Sequence, residues 1–172
     1  VMTGLDAALA KFSQLDADRQ YIAGGSYGGF MTTWSVGHTK RFAAAVSQRS
    51  VTNWISLFGI SDIGFYFNPE ELAIDLFAEG GIDAYWKQSP LAYAQNVTTP
   101  IRLLHGEWDM RCPISQSEEF FTAVKRNGVD ADFIRYPQSF HGISRNGLPS
   151  LRIQRIDDMT AWFTAHPSVI RG

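Results

Sequence analysis

One serine in this chain is set for nucleophilic chemistry. Ser26 lies in Gly24-Gly25-Ser26-Tyr27-Gly28, a G-x-S-x-G pattern. The short apolar run Tyr21-Ile22-Ala23 leads into it, and residues 30–36 after it read as helix. Between a strand and a helix, such a turn holds the serine in a strained backbone conformation with its hydroxyl exposed above the strand end. Side chains two residues before and after would collide as the helix folds back on the strand, and glycine removes those Cβ atoms. The N-terminus of the helix then faces the serine, and its free N–H groups can stabilise a developing oxyanion. The N–H of Tyr27, next after the serine, is the expected first donor. The plain alternative is a glycine-rich turn with no chemistry.

A serine hydroxyl is a poor nucleophile unless a base takes its proton. Of the four histidines, His38 ends a helix, His166 lies near the C-terminus, and His105 ends a strand and is expected to point into the structure. His141 alone falls in a loop after a strand and downstream of an acid. Asp109 can hold the imidazole tautomer and stabilise the imidazolium that forms; Glu107, two residues earlier, is the alternative acid. The order Ser26, Asp109, His141 is the order of α/β hydrolases. No HExxH motif and no Cys/His cluster points to a metal, and no cofactor is implied. Cys112 lacks any Cys–His signature. A phosphate-binding reading of the Gly-rich turn fails, because no Gly-Lys-Ser/Thr follows and no G-x-G-x-x-G spacing fits.

The elements that must position these groups alternate along the chain. Leu5, Ala8, Leu9, Phe12 and Leu15 share one helical face, giving a helix over residues 5–15. The first strand, the serine turn and its helix follow, with Gly37 as the expected stop. Residues 42–46 are a short buried strand. Residues 48–67 read as irregular and rich in aromatics, including Trp54 and Tyr66, which either line a ligand pocket or cap the core. Pro69-Glu70-Glu71 is expected to open a helix running to about residue 77. Further short helical turns cover residues 82–86 and 90–94. Residues 101–105 are the third strand. Ser115-x-x-Glu118 reads as a capping box opening a helix to residue 126. Residues 131–136 alternate as the fourth strand. Leu151, Ile156, Met159 and Phe163 form one face of a final helix over residues 150–165. Four β-then-α units predict an α/β fold: a parallel sheet of about four strands covered on both faces. Ser26, Asp109 and His141 all follow carboxyl ends of strands, where such sheets place their sites.

Composition narrows the classes. The chain has 172 residues, 45% of them apolar, and a formal charge of −2, as expected of one globular domain. No basic run suggests nucleic acid or an anionic membrane, and no apolar stretch is long enough to span a bilayer. A single cysteine excludes an internal disulfide and fits a reducing compartment.

Taken together, these stretches resemble a known family. Gly24-Gly25-Ser26-Tyr27-Gly28-Gly29, the run from His105 to Pro113 with Gln116-Ser117-Glu118, His141-Gly142-Ile143-Ser144-Arg145, and Gln48 to Trp54 are similar to the catalytic domain of the prolyl oligopeptidase family, in its acylaminoacyl-peptidase-like bacterial branch. The resemblance spans nearly the whole chain. It implies a serine peptidase acting on short or N-acylated peptides, with Ser26, Asp109 and His141 as the triad. It implies that Arg111 holds a substrate carbonyl, with a plain surface arginine as the alternative. Trp54 and Tyr66 would lie in the pocket for the side chain before the scissile bond.

The resemblance also implies a fragment: residues 1–172 as the C-terminal half of an α/β-hydrolase fold, without the family's N-terminal β-propeller, first strands or loop with the second oxyanion donor. The strand ending at Ala23 would then be an open edge and a route to self-association, and losing one oxyanion donor would cost about 10²–10³ in rate. A cytoplasmic location is expected. A carboxylesterase on the same fold and a catalytically inactive fragment are the alternative readings.

Overall fold

The computed structural model describes residues 1–168. Four strands, β1 (Tyr21–Gly25), β2 (Ala44–Gln48), β3 (Ile101–Gly106) and β4 (Ala131–Tyr136), form one parallel sheet in the order β1-β2-β3-β4. The register sets Ala23 opposite Val46, Val46 opposite Arg102 and Leu103 opposite Phe133. Alternation along the strands divides the core in two. Ala45, Ile101 and Leu103 face a cluster with Val36, Phe120 and Val124. Ala44, Val46 and Leu104 face Tyr136, Ile143 and Trp162 on the other side.

The helices that supply those clusters are α2 (Tyr27–His38) and α6 (Ser115–Arg126) on the first face and the short α7 (Ile143–Asn146) and α8 (Pro149–Ala165) on the second. A third apolar cluster, centred on Trp54, Leu57 and Tyr85, sits beyond the strand ends. It is built by α3 (Trp54–Ile60), α4 (Gly64–Leu72) and α5 (Gly81–Lys87), with a 3₁₀ turn over Pro90–Asn96 leading back to β3. No helix among the described residues is long and apolar enough to cross a membrane.

Several expectations are corrected. The first helix, α1 (Met2–Lys11), begins and ends earlier, and Phe12 already has extended backbone. Gly37 does not stop α2, which runs on to His38. Its lack of a side chain serves packing instead: a Cβ there would lie 2.9 Å from that of Tyr93. Within residues 48–67, residues 54–60 and 64–67 are helical rather than irregular. Asn53 caps α3, its side-chain oxygen accepting from the N–H groups of Ile55 and Ser56. Pro69 lies inside α4 rather than opening a helix, and Ala73, with φ of 54°, ends α4 in the left-handed region.

The Ser115/Glu118 capping box does not form. Ser115 is already helical and Ile114 occupies the cap position, while the Glu118 carboxylate pairs with Arg135 across the surface. Ile156 is 49% exposed. It lies about a third of a turn round α8 from Trp162, the residue on which the buried face centres.

Candidate active site

The turn after β1 is strained in the way the nucleophile needs. Ser26 has φ 62° and ψ −120°, a backbone region that non-glycine residues rarely occupy. The conformation is held from both sides. Ser26 N–H donates to Gln48 O at 3.0 Å, and Ser26 O accepts from Phe30 N–H at 2.9 Å. Gly24 is required, because a Cβ there would stand 2.2 Å from Gly28 O. Gly28 is not required for that reason: a Cβ on it would meet nothing within 4 Å. The close approach falls one residue later, at Gly29, where a Cβ would be 2.6 Å from Gln48 O. The close contact of α2 with β2 is therefore made by the second glycine of the Gly28-Gly29 pair. Tyr27 is the first residue of α2, so its N–H has no acceptor within the helix.

Asp109 and His141 are brought together by their loops. Gly106 lets β3 run against the loop after β4, since a Cβ on it would be 2.2 Å from Ser139 O. Trp108 N–H donates to that same oxygen at 3.0 Å. His141 Nδ1 then lies 2.8 Å from Asp109 Oδ2, and His141 Nε2 lies 2.8 Å from Ser26 Oγ. The remaining carboxylate oxygen, Oδ1, accepts from the backbone N–H groups of Arg111 and Cys112, each at 2.9 Å.

Burial by itself would raise the Asp109 pKa, but the hydrogen bonds from His105 and His141 outweigh it and hold the carboxyl down to about 2. An ionised Oδ2 can only accept, so Nδ1 of His141 carries the proton and Nε2 is left free to take the one from Ser26.

Three residues to which sequence reasoning gave no part in the site support this geometry, and His105 points into the structure as expected. His105 is fully buried, with Nδ1 2.7 Å from Ser117 Oγ and Nε2 2.7 Å from Cys112 O. The same Nε2 lies 3.3 Å from Asp109 Oδ2. Both neighbours of Nε2 are acceptors, so the proton sits there. The signal in the sequence was its place four residues before Asp109. Asp62 grips Arg111 through two bonds, Nε to Oδ1 at 2.7 Å and Nη2 to Oδ2 at 3.1 Å, and no local pattern announces it. Gln116 ties the segment before α3 to α6 by accepting from the N–H groups of Thr52 and Asn53.

The other candidates fall elsewhere. Glu107 pairs with Arg135 at the surface. Burial pushes the Cys112 thiol up to about 12, which leaves it without nucleophilic thiolate at neutral pH. His38 stacks on Trp34 and bonds its carbonyl. Among the described residues, no group of three or more His, Cys, Asp or Glu side chains is placed to hold a metal.

A cavity of about 260 Å³ opens beside Ser26, Tyr27 and His141. Val51, Trp54, Leu57 and Phe67 give it an apolar wall, and Arg111 stands at its edge. Tyr66 lies outside that lining; its half-exposed ring meets Phe65 edge-on at 5.0 Å.

A parallel sheet covered on both faces, with a strained serine turn, a histidine and an acid at its strand ends, is the arrangement of an α/β-hydrolase fold. A family model described as the prolyl oligopeptidase family matches residues 1–168, and the chain belongs to that family. It is 47% identical over 166 residues to an uncharacterized peptidase, YuxL, of Bacillus subtilis, covering 96% of this chain and 25% of that protein. The Pyrococcus horikoshii acylaminoacyl peptidase in its uncomplexed form superposes with a TM-score of 0.89 at 30% identity, over 99% of this chain and 28% of that one. An acylaminoacyl peptidase in complex with Z-Gly-Gly-Phe-chloromethyl ketone superposes equally well, with a TM-score of 0.89 at 30% identity, over 99% of this chain and 27% of that one. The chain thus spans about a quarter of the length of the relatives it matches.

Proposed function

We propose that this chain carries the catalytic centre of a serine peptidase that cleaves short or N-acylated peptides through an acyl-enzyme. The observation that carries the reading is the pair of 2.8 Å contacts linking Asp109, His141 and Ser26. Ser26 Oγ attacks the scissile carbonyl as His141 Nε2 takes its proton, and Asp109 stabilises the imidazolium. The Tyr27 N–H meets the oxyanion. Collapse of the tetrahedral intermediate breaks the C–N bond, and Nε2 returns the proton to the leaving amine. Water, deprotonated by the same nitrogen, then releases the acyl group.

The apolar wall with Trp54 suits a large side chain before the scissile bond, which agrees with the phenylalanyl inhibitor named for the solved relative. Arg111 would hold a substrate carbonyl. A reducing compartment such as the cytoplasm fits a chain whose one cysteine is a buried free thiol.

The test is labelling with a fluorophosphonate probe beside Ser26→Ala and His141→Ala. Labelling of the folded chain that both substitutions abolish is expected. A folded chain that does not label, or that labels equally after either substitution, overturns the reading. Release of an amine from an N-acetylated dipeptide amide, and not only of alcohol from an ester, separates a peptidase from an esterase.

A further inference from the structure

A second cavity, of about 210 Å³, adjoins the site and is lined by Asp62, Trp108, Met110, Arg111, Phe140 and His141. It shares His141 and Arg111 with the first cavity but includes neither Ser26 nor Tyr27. Its main wall is an aromatic pair: Trp108 and Phe140 meet edge-on with ring centroids 5.5 Å apart. Both rings are open to solvent, 48% and 61% exposed, and Met110 beside them is 64% exposed. The pair is not loosely hung. The Trp108 backbone is pinned to Ser139 O, and Phe140 O accepts from Ile143 N–H at 3.1 Å. Two rings held half in water by fixed backbone present a ready face for a third apolar group.

The chemistry of the triad tells the two cavities apart. The acyl carbonyl must reach both Ser26 Oγ and the Tyr27 N–H, so the acyl side of the substrate occupies the cavity that contains them. The leaving amine must take its proton from His141 and so lies against that ring. Resting on the triad reading above, we propose that the second cavity seats the leaving group, and that Trp108 and Phe140 select peptides with an aromatic or large apolar residue immediately after the scissile bond.

The experiment compares kcat/KM for acetyl-alanyl-phenylalaninamide and acetyl-alanyl-glycinamide in the parent chain and in the double variant Trp108→Ala/Phe140→Ala. The preference is a ratio within each protein, so any general loss of activity cancels. A preference of about tenfold for phenylalanine is expected, collapsing to near parity in the double variant. No preference in the parent chain, or one that survives in the double variant, overturns the proposal.

A binding measurement gives the answer if turnover is absent and the triad reading has failed. Phenylalaninamide and glycinamide are titrated into Ser26→Ala while the indole N–H signals are followed by NMR, with Trp108 assigned by its loss in Trp108→Ala. Movement of the Trp108 signal at about tenfold lower phenylalaninamide than glycinamide supports the leaving-group seat. Equal titrations, or movement confined to Trp54, overturn it.

Discussion

On the β3–β4 flank of the site, the Asp109 carboxylate is surrounded: two backbone N–H groups on Oδ1, and two imidazoles on Oδ2. The loops that carry Asp109 and His141 share Ser139 O as a common anchor. On the β1 flank, the strand that presents Ser26 pairs only with β2 among the described residues. Its residues are half-buried, and Ala23 is exposed. Arg49, at the end of β2 with φ of 41°, packs its guanidinium against Gly25, where a Cβ would be 2.5 Å from Nη1. One of its nitrogens donates to Ser144 Oγ at 3.0 Å, but Nε and Nη1 are buried without a partner. Burial and then the nearby Arg145 pull its pKa down. The contrast teaches that Asp109 and His141 are fixed by bonds this chain supplies itself, whereas the strand before Ser26 leans, among the described residues, on one neighbour and one poorly satisfied cation.

The sharpest way to break that comparison is Asp109→Asn. The Arg111 and Cys112 N–H groups require an acceptor at Oδ1, so the new amide nitrogen must take the Oδ2 position. There it faces His105 Nε2–H and donates to His141 Nδ1, which moves the His141 proton to Nε2 and removes the base. Fluorophosphonate labelling should slow by about 10⁴-fold. A loss below tenfold in a folded variant would show that the bonded flank does not set the tautomer.

How much of this was legible beforehand follows from the same divide. The four strands, their parallel direction and the placing of Ser26, Asp109 and His141 after strand ends could be read because short apolar runs and strand-end residues are local signals. The helical nature of residues 54–60 and 64–68 could not, because what orders them is distant: Gln116 bonding to Thr52 and Asn53, and Asn68 Nδ2 donating to Trp54 O at 2.8 Å. The Ser115/Glu118 box failed for a similar reason, Arg135 on a neighbouring strand competing for the glutamate. The second imidazole on Asp109 was hidden because a strand-end histidine is as readily a core residue as a partner.

Acid should find the bonded flank next. Asp109 titrates at about 2 instead of the usual 3.8. A carboxyl with a depressed folded value stabilises the fold above the unfolded value, and that contribution disappears as pH falls through the folded one. About 2 kcal/mol should therefore be lost between roughly pH 5 and pH 2. Urea unfolding midpoints across that window measure it, with Asp109→Asn as the control that lacks the step. Parallel curves for the two proteins would mean that the surrounding bonds do not favour the ionised form.

The smallest expected effect tests the open flank. Among the described residues, one side of β1 offers unpaired backbone groups between half-buried Tyr21 and Ile22 and the glycines of the turn, and the prediction is that a second copy of this chain pairs there. Sedimentation should show concentration-dependent association of the parent chain. Ala23→Lys places a charge on the edge at a position whose side chain is already exposed, so folding stability should change by no more than about 0.5 kcal/mol. Association should weaken by about tenfold, the equivalent of one lost apolar contact plus a repelled like charge across the pair. A parent chain that stays monomeric at every concentration, or a lysine variant that associates as before, would mean that the β1 edge is closed in solution by something other than a second copy. The weakness of the β1 flank would then rest on the unpartnered nitrogens of Arg49 and not on an open edge.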